Sequence, residues 1–279
     1  MSAAAQCSKK DWLLLRRHDK NSKKGDNGRL LICAGSAQYH GSLILAIKAA
    51  VRFCDLVYVY CDGENRSLVA SLKAATPNII ILTSTRASST FLPRIDAVLT
   101  GPGWVESAEN QRLLARLLKS GKPMVLDAGA LGILAKKKSI RPLLHSACIL
   151  TPHRGEFERL FGFSASAGTV MAEAKKTNAV ILCKGSIDLI SDGRRMASNT
   201  THHVGMTKGG SGDALAGLSA ALMADHNDPF ESACASAYLL GRCGLRLSRR
   251  MGAHYSSSDL VDELPLAALE IEKEETGEF

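Results

Sequence analysis

Short apolar runs alternate along this chain with segments whose apolar residues recur every three or four positions. The run "RLLICAG" (29–35) has the pattern of a buried strand that ends in glycine. "SLILAIKAAVRFC" (42–54) has helical spacing, "LVYVYC" (56–61) reads as strand and "ENRSLVASLKAA" (64–75) as helix. "NIIILT" (78–83) and "DAVLTG" (96–101) predict two more strands. The stretch 106–121 places Leu113, Leu114, Leu117 and Leu118 on one helical stripe and stops at Gly121. "PMVLDA" (123–128), "ACILTP" (147–152) and "AVILCKG" (179–185) continue the strand series. "IDLIS" and "RRMAS", joined through Asp192-Gly193, predict a hairpin, and two helical stretches follow a glycine-rich segment.

Continuously apolar strands alternating with helices predict an α/β fold of three layers, α/β/α. Its central sheet is mostly parallel, with the late hairpin as an antiparallel edge. Ligands in such folds sit beyond the carboxyl ends of the strands. Here those ends carry Gly35-Ser36, Gly101-Pro102-Gly103, Asp127, Thr151-Pro152-His153 and Lys184-Gly185. That edge is the expected site.

Composition narrows the class. The 279 residues, 46% of them hydrophobic, suffice for one sizeable core, so a single domain over 1–279 is expected. Apolar runs stay short of the ~18 residues of a membrane span, and the candidate near 42–51 is broken by Lys48. "MSAAAQCSKKDW" lacks the apolar core of a signal peptide, so a cytoplasmic protein without membrane attachment is expected. Eight cysteines form no C-x-x-C pair, and Cys33, Cys54, Cys61, Cys148 and Cys183 lie in or beside apolar stretches. They read as small buried hydrophobes in a reducing compartment.

The net charge of +8 is uneven. Lys9, Lys10, Arg16, Arg17, Lys20, Lys23, Lys24 and Arg29 crowd the start, and residues from Asp259 to Glu278 are mostly acidic. No nucleic-acid signature accompanies the basic run and aromatic residues are 5%, so no nucleic-acid partner is expected.

The chemistry concentrates in "MTKGGSGDALAG" (206–217). Neither G-x-x-x-x-G-K-[ST] nor a post-strand G-x-G-x-x-G occurs, which argues against the P-loop and dinucleotide-binding classes. Gly209, Gly210 and Gly212 can present successive backbone N–H groups to an anion, and the following helix adds its N-terminal partial charge. Asp213 fits two descriptions: an N-cap of that helix, or a base beside a bound phosphate.

Six segments in order carry a resemblance: "KKGDNGRLLICAGSAQYHGS", "DAVLTGPGW", "VLDAGAL", "LTPHRGEFERLFG", "VILCKGSID" and "GMTKGGSGDALAGL". Together they resemble the NAD(P)H-hydrate dehydratase family of the ribokinase-like superfamily, over about residues 13–250. G-x-G-D marks only the superfamily; T-P-H-x-G-E with K-G-D-x-G-R is more particular. The resemblance implies repair of the S form of NADHX and NADPHX, hydrated at nicotinamide C6. ADP would yield AMP and phosphate, or ATP would yield ADP and phosphate, with Mg2+, through a phosphorylated intermediate. The sequence leaves ADP and ATP open.

Position by position, the resemblance makes Asp213 the base and Gly210, Ser211 and Gly212 the anion hole. Lys184, Gly185, Ser186, Ile187, Asp188 and Gly212 would bind the nucleotide, and Ser42, Gly103, His153 and Asp213 the hydrate. For Lys184 the bland alternative is a solvent lysine at a strand end. Glu156 is the candidate for a metal, or a helix cap. Lys208 offers a further phosphate contact or plain surface charge.

Three departures stand out. Gly129 replaces the usual second aspartate of "DAGAL", which limits Asp127 to a strand-end role; "HHVGMTKGG" lacks the usual Asn-Pro; "RFCDL" replaces a small-residue turn. The resemblance further implies a separate NAD(P)HX epimerase as functional partner and allows a homo-oligomer. The alternative readings are an ATP-dependent kinase of a small alcohol or vitamin precursor, and a non-catalytic nucleotide-binding protein.

Overall fold

Among the described residues, ten strands form one sheet in the order β1-β10-β9-β8-β7-β6-β5-β2-β3-β4. They are β1 (Ala5–Gln6), β2 (Arg29–Cys33), β3 (Leu56–Tyr60), β4 (Ile79–Leu82), β5 (Ala97–Thr100), β6 (Met124–Leu126), β7 (Cys148–Leu150), β8 (Val180–Cys183), β9 (Asp188–Ser191) and β10 (Met196–Asn199). The helices are α1 (Lys9–Leu13), α2 (His40–Ala50), α3 (Gly63–Ala75), α4 (Ala108–Lys119), α5 (Gly129–Lys136), α6 (Arg154–Phe161), α7 (Ala167–Thr177), α8 (Ser211–Ala224), α9 (Pro229–Met251) and α10 (Ser257–Thr276). This is a computed structural model that describes residues 4–16, 18–84 and 90–276. Arg17 of the basic run and Glu278 of the acidic run lie outside the described residues.

Pairing is parallel except at β8–β9 and β9–β10. The predicted hairpin is present, with Met196 opposite Ser191. It is not the edge, however. The two residues of β1 add in parallel beyond β10, with Ala5 opposite Ala197. Two residues give no readable period, so this strand left no mark in the hydropathy pattern.

Alternation along each strand feeds two cores. Leu30 and Ile32 point into a cluster with α2, α8, α9 and α10. Their neighbours Leu31 and Cys33 face the opposite cluster, built with α4, α5, α6 and α7. The leucine stripe of α4 is buried as its spacing predicts. α8 is buried from Ala214 to Ala224, as befits a helix apolar on every side. At Gly217 a Cβ would stand 2.4 Å from the Ala46 carbonyl oxygen, so glycine lets α2 and α8 cross closely.

All eight cysteines are free and buried. The packed structure continues beyond residue 250. Leu260, Val261, Leu264, Ala267, Ala268 and Ile271 of α10 are buried. The acidic run is thus one face of a packed helix, and Glu263 is clamped by Arg246 at 2.7 Å and Arg250 at 2.6 Å. Arg16 of the basic run pairs with buried Asp225 at 2.7 Å. Among the described residues no helix is long and apolar enough to cross a membrane.

Candidate active site

The glycine-rich segment turns sharply into α8. Gly210 is the N-cap, with φ of 99°, and no side chain caps this helix start. A Cβ on Gly210 would come within 2.3 Å of Leu45 as well as adopting a strained backbone, so only glycine fits. Asp213 is therefore not the N-cap. It sits in the first turn, two residues beyond Ser211. Burial pushes its carboxyl up to about 6, helped by the negative charge of Asp127 and opposed by a hydrogen bond from Ser42 and by Lys184. A carboxylate held near neutral pH is a tuned proton acceptor rather than a passive cap.

Lys184 follows β8 and is not a solvent lysine. Its Nζ lies 2.7 Å from Asp127 Oδ1, in a pair whose side chains are 18% and 2% exposed. Burial pushes the ammonium pKa down, but Asp127, Glu156 and Asp213 outweigh it and the net shift is upward. Lys184 stays charged. A Cβ on Gly212 would stand 3.1 Å from this Nζ, which places the cation at the uncapped start of α8. Asp127, restricted to a strand-end role by the sequence comparison, aims the lysine there. Thr151 Oγ1 donates to the same carboxylate oxygen at 2.8 Å. Gly129 has a local cause: a Cβ there would stand 2.4 Å from the Trp104 carbonyl oxygen, so the second aspartate does not fit this backbone.

His153 is the N-cap of α6. Its Nδ1 accepts from Gly155 N–H at 3.1 Å and Glu156 N–H at 3.3 Å. Glu156 returns the bond, accepting from His153 N–H at 2.9 Å. With Nδ1 committed as an acceptor, the neutral ring carries its proton on Nε2, on an exposed side chain. The capping role of Glu156 is thus present.

A cavity of about 640 Å³ opens beside these groups, and His153, Lys184, Gly185, Ser186, Asp188 and Gly212 line it. Ser211 is a further lining residue, its hydroxyl 3.1 Å from the Lys208 carbonyl oxygen. Ile187 is outside this lining and exposed; its carbonyl accepts from Arg154 Nη2 at 3.0 Å. Burial pushes the Asp188 carboxyl up, against hydrogen bonds from Asn199 and Gly185 N–H. The cavity also uses Asn199, Thr201, His202, His203 and Val204, which no motif singled out. The polar end of β10 and the "HH" before the glycines were the available signals. Lys208 also lines the cavity, and its Nζ donates to Ala253 O at 2.9 Å and Tyr255 O at 2.5 Å.

Of the other hydrate positions, Ser42 and Gly103 come together at Asp213, whereas His153 lines the 640 Å³ cavity. The α2–α8 crossing brings Ser42 to Asp213, and a Cβ on Gly103 would lie 3.2 Å from Ser42 Cβ. Gly103 has φ of 68° and its missing side chain would run into Tyr39 O. Asp213 is therefore hydrogen-bonded to Ser42 and directly follows Gly212, a lining residue of the 640 Å³ cavity.

Among the described residues no group of three or more His, Cys, Asp or Glu side chains is placed to hold a metal. Asp127 is committed to Lys184 and Thr151. Glu156 uses Oε2 in its cap, which leaves Oε1 for a magnesium ion held mainly by phosphate oxygens and water, the usual arrangement for that ion.

Comparison with known proteins identifies the family. Residues 30–266 match the family model described as NAD(P)H-hydrate dehydratase. An ADP-dependent (S)-NAD(P)H-hydrate dehydratase of Cenarchaeum symbiosum is 35% identical, over 90% of this chain and 91% of that protein. A bifunctional NAD(P)H-hydrate repair enzyme of Archaeoglobus fulgidus is 36% identical over 94% of this chain. The chain spans about half the length of that bifunctional relative, 55%. Among solved structures, the ADP/ATP-dependent NAD(P)H-hydrate dehydratase of Bacillus subtilis, co-crystallised with ATP/Mg2+, superposes with a TM-score of 0.81. It is 24% identical, and the match covers 97% of this chain and 100% of that one, which fixes the ribokinase-like fold. With the fold, the ordered motifs and the family match in agreement, this chain belongs to the NAD(P)H-hydrate dehydratase family.

Proposed function

We propose that this chain, as a single domain, dehydrates the S form of NADHX and NADPHX to NADH and NADPH at the expense of ADP or ATP. The observation that carries the proposal is the position of Asp213, with its carboxyl raised to about 6, beside Gly212 of the 640 Å³ cavity and hydrogen-bonded to Ser42 next to Gly103.

In the first step the C6 hydroxyl oxygen of the hydrate attacks the terminal phosphorus. Asp213 accepts the hydroxyl proton. The bond from phosphorus to the bridging oxygen breaks, and AMP or ADP leaves with that oxygen. Lys184 and the N–H groups at the start of α8 stabilise the transferring phosphoryl, where positioning and charge provide most of the catalysis. In the second step the ring nitrogen's electron pair expels phosphate from C6. Loss of a C5 proton from the resulting iminium restores the C5–C6 double bond. Phosphorylation matters because hydroxide is a poor leaving group and phosphate a good one.

Nucleotide and hydrate divide the site. Gly185, Ser186, Asp188 and Gly212 line the donor cavity, and His153 can donate from Nε2 to the hydrate at its rim. Glu156 is the protein carboxylate we assign to a phosphate-bound Mg2+, which supplies charge neutralisation when present. A cytoplasmic setting is supported by the eight free, buried thiols. The partner reaction is epimerisation of R to S hydrate, which feeds the substrate.

The test is product analysis. Incubation with S-NADHX and ADP or ATP should release one phosphate per dihydronicotinamide formed. A stable phosphorylated organic product with no released phosphate would instead mark a kinase using the same base.

A further inference from the structure

A second cavity of about 410 Å³ opens at the C-terminal ends of β2, β3 and β5. Gly35 and Ser36 line it after β2, Asp62 and Arg66 at the start of α3, Trp104 after β5 and Glu109 on α4. It adjoins the reaction centre. Gly35 N–H donates to Pro102 O at 2.8 Å, and Gly35 Cα is 3.3 Å from where a Gly103 Cβ would stand.

The placement answers a question left by the mechanism. A dinucleotide with its nicotinamide at Asp213 has a far half to house, and the 640 Å³ cavity is assigned to the phosphoryl donor. The sheet order β6-β5-β2-β3 puts the end of β3 two strands beyond Gly103. At about 4.8 Å per strand that is roughly 10 Å.

The local chain path also suits a nucleoside. A strand, a turn through Gly35, a helix and a second strand ending at Asp62 form the unit that elsewhere sets an acid on ribose hydroxyls. Asp62 Oδ1 accepts from Asn65 N–H at 3.0 Å and Asn65 Nδ2 at 2.6 Å; neither bond uses Oδ2. Glu109 Oε1 accepts from the Tyr60 hydroxyl at 3.0 Å, a bond that leaves Oε2 aside. Asn65 is 1% exposed and its Oδ1 is buried with no partner. Its Cγ lies 3.3 Å from where a Gly35 Cβ would stand, directly behind the cavity wall.

Building on the dehydratase reading, we propose that this cavity seats the adenosine ribose of the hydrate. Asp62 and Glu109 accept hydrogen bonds from the ribose hydroxyls, and the chain is thereby selective for NADHX over NADPHX. A 2′-phosphate would face two carboxylates. Arg66 is the one cation among the described lining residues; its Nη2 donates to Thr83 O at 2.8 Å, whereas its buried Nε has no partner.

The test compares kcat/KM for S-NADHX and S-NADPHX in the natural chain and in Asp62→Asn/Glu109→Gln. Asparagine keeps the N-cap of α3, so the double variant retains that helix start. The natural chain should favour NADHX by about tenfold or more, because like charges facing one another are costly. The double variant should bring the ratio close to one, chiefly through a lower KM for NADPHX. Glu109→Gln alone, an exposed change, should move the ratio in the same direction. An unchanged ratio in both variants overturns the proposal. So does a preference for NADPHX that Arg66→Gln abolishes, because Arg66 would then be reading the phosphate. If the natural chain, folded, turns over neither hydrate, the dehydratase reading falls and this inference with it. Turnover without discrimination overturns this inference alone.

Discussion

Two helices begin at the same cleft and are finished in opposite ways. α6 is closed by its own side chains: His153 takes the N–H groups of Gly155 and Glu156, and Glu156 takes that of His153. α8 begins at Gly210 with no side-chain cap, and a lysine aimed by a buried aspartate stands beside its first turn. A capped start has satisfied its orphan donors, whereas an open one offers them to a ligand. The phosphate therefore belongs at α8. α6 is a rigid shelf that presents one histidine nitrogen.

The strongest way to break this contrast is at Asp213. Asp213→Asn should lower kcat by about 10²–10⁴, the usual contribution of a positioned base. The same variant should be more stable at neutral pH. Burial raises the native carboxyl to about 6 from its ordinary 3.8, so between those values the folded state holds a proton that the unfolded state has lost. Stability from this group is thus present at low pH and lost as pH rises through about 6. At pH 7 the asparagine variant should gain on the order of 1–3 kcal/mol, readable by urea denaturation. In the natural chain kcat/KM should rise with pH through about 6.

Lys184→Met comes next. It leaves Asp127 buried and unpaired, which should cost about 3–5 kcal/mol in denaturant unfolding and weaken nucleotide binding. Asp127→Asn/Lys184→Met should recover part of the stability but none of the binding. Gly210→Ala should cost about 1–3 kcal/mol from backbone strain, and more from the clash with Leu45. The smallest effect separates the two roles of His153. His153→Asn restores an N-cap and should raise only the KM for hydrate, whereas His153→Ala should also lose about 1 kcal/mol of stability.

The sequence carried the strand series because both faces of the sheet are covered, so each strand is continuously apolar. It located the anion loop because positive-φ turns demand glycine. It could not separate an N-cap aspartate from one in the first turn, since that depends on Gly210 taking the cap with φ of 99°. Nor did it reveal the Asp127–Lys184 pair, whose members are 57 residues apart and meet only across the ends of β6 and β8. Gly129 suggested a weakened site, yet the close approach of Trp104 O explains it. β1 and the His202–His203 wall left no periodic signal at all.

The most direct measurement is recovery of dihydronicotinamide absorbance from purified S-NADHX, run in parallel with ADP, ATP and no nucleotide. Recovery is predicted only with a nucleotide, and its loss in folded Asp213→Asn. Folded natural protein that restores no absorbance with either nucleotide would contradict the account.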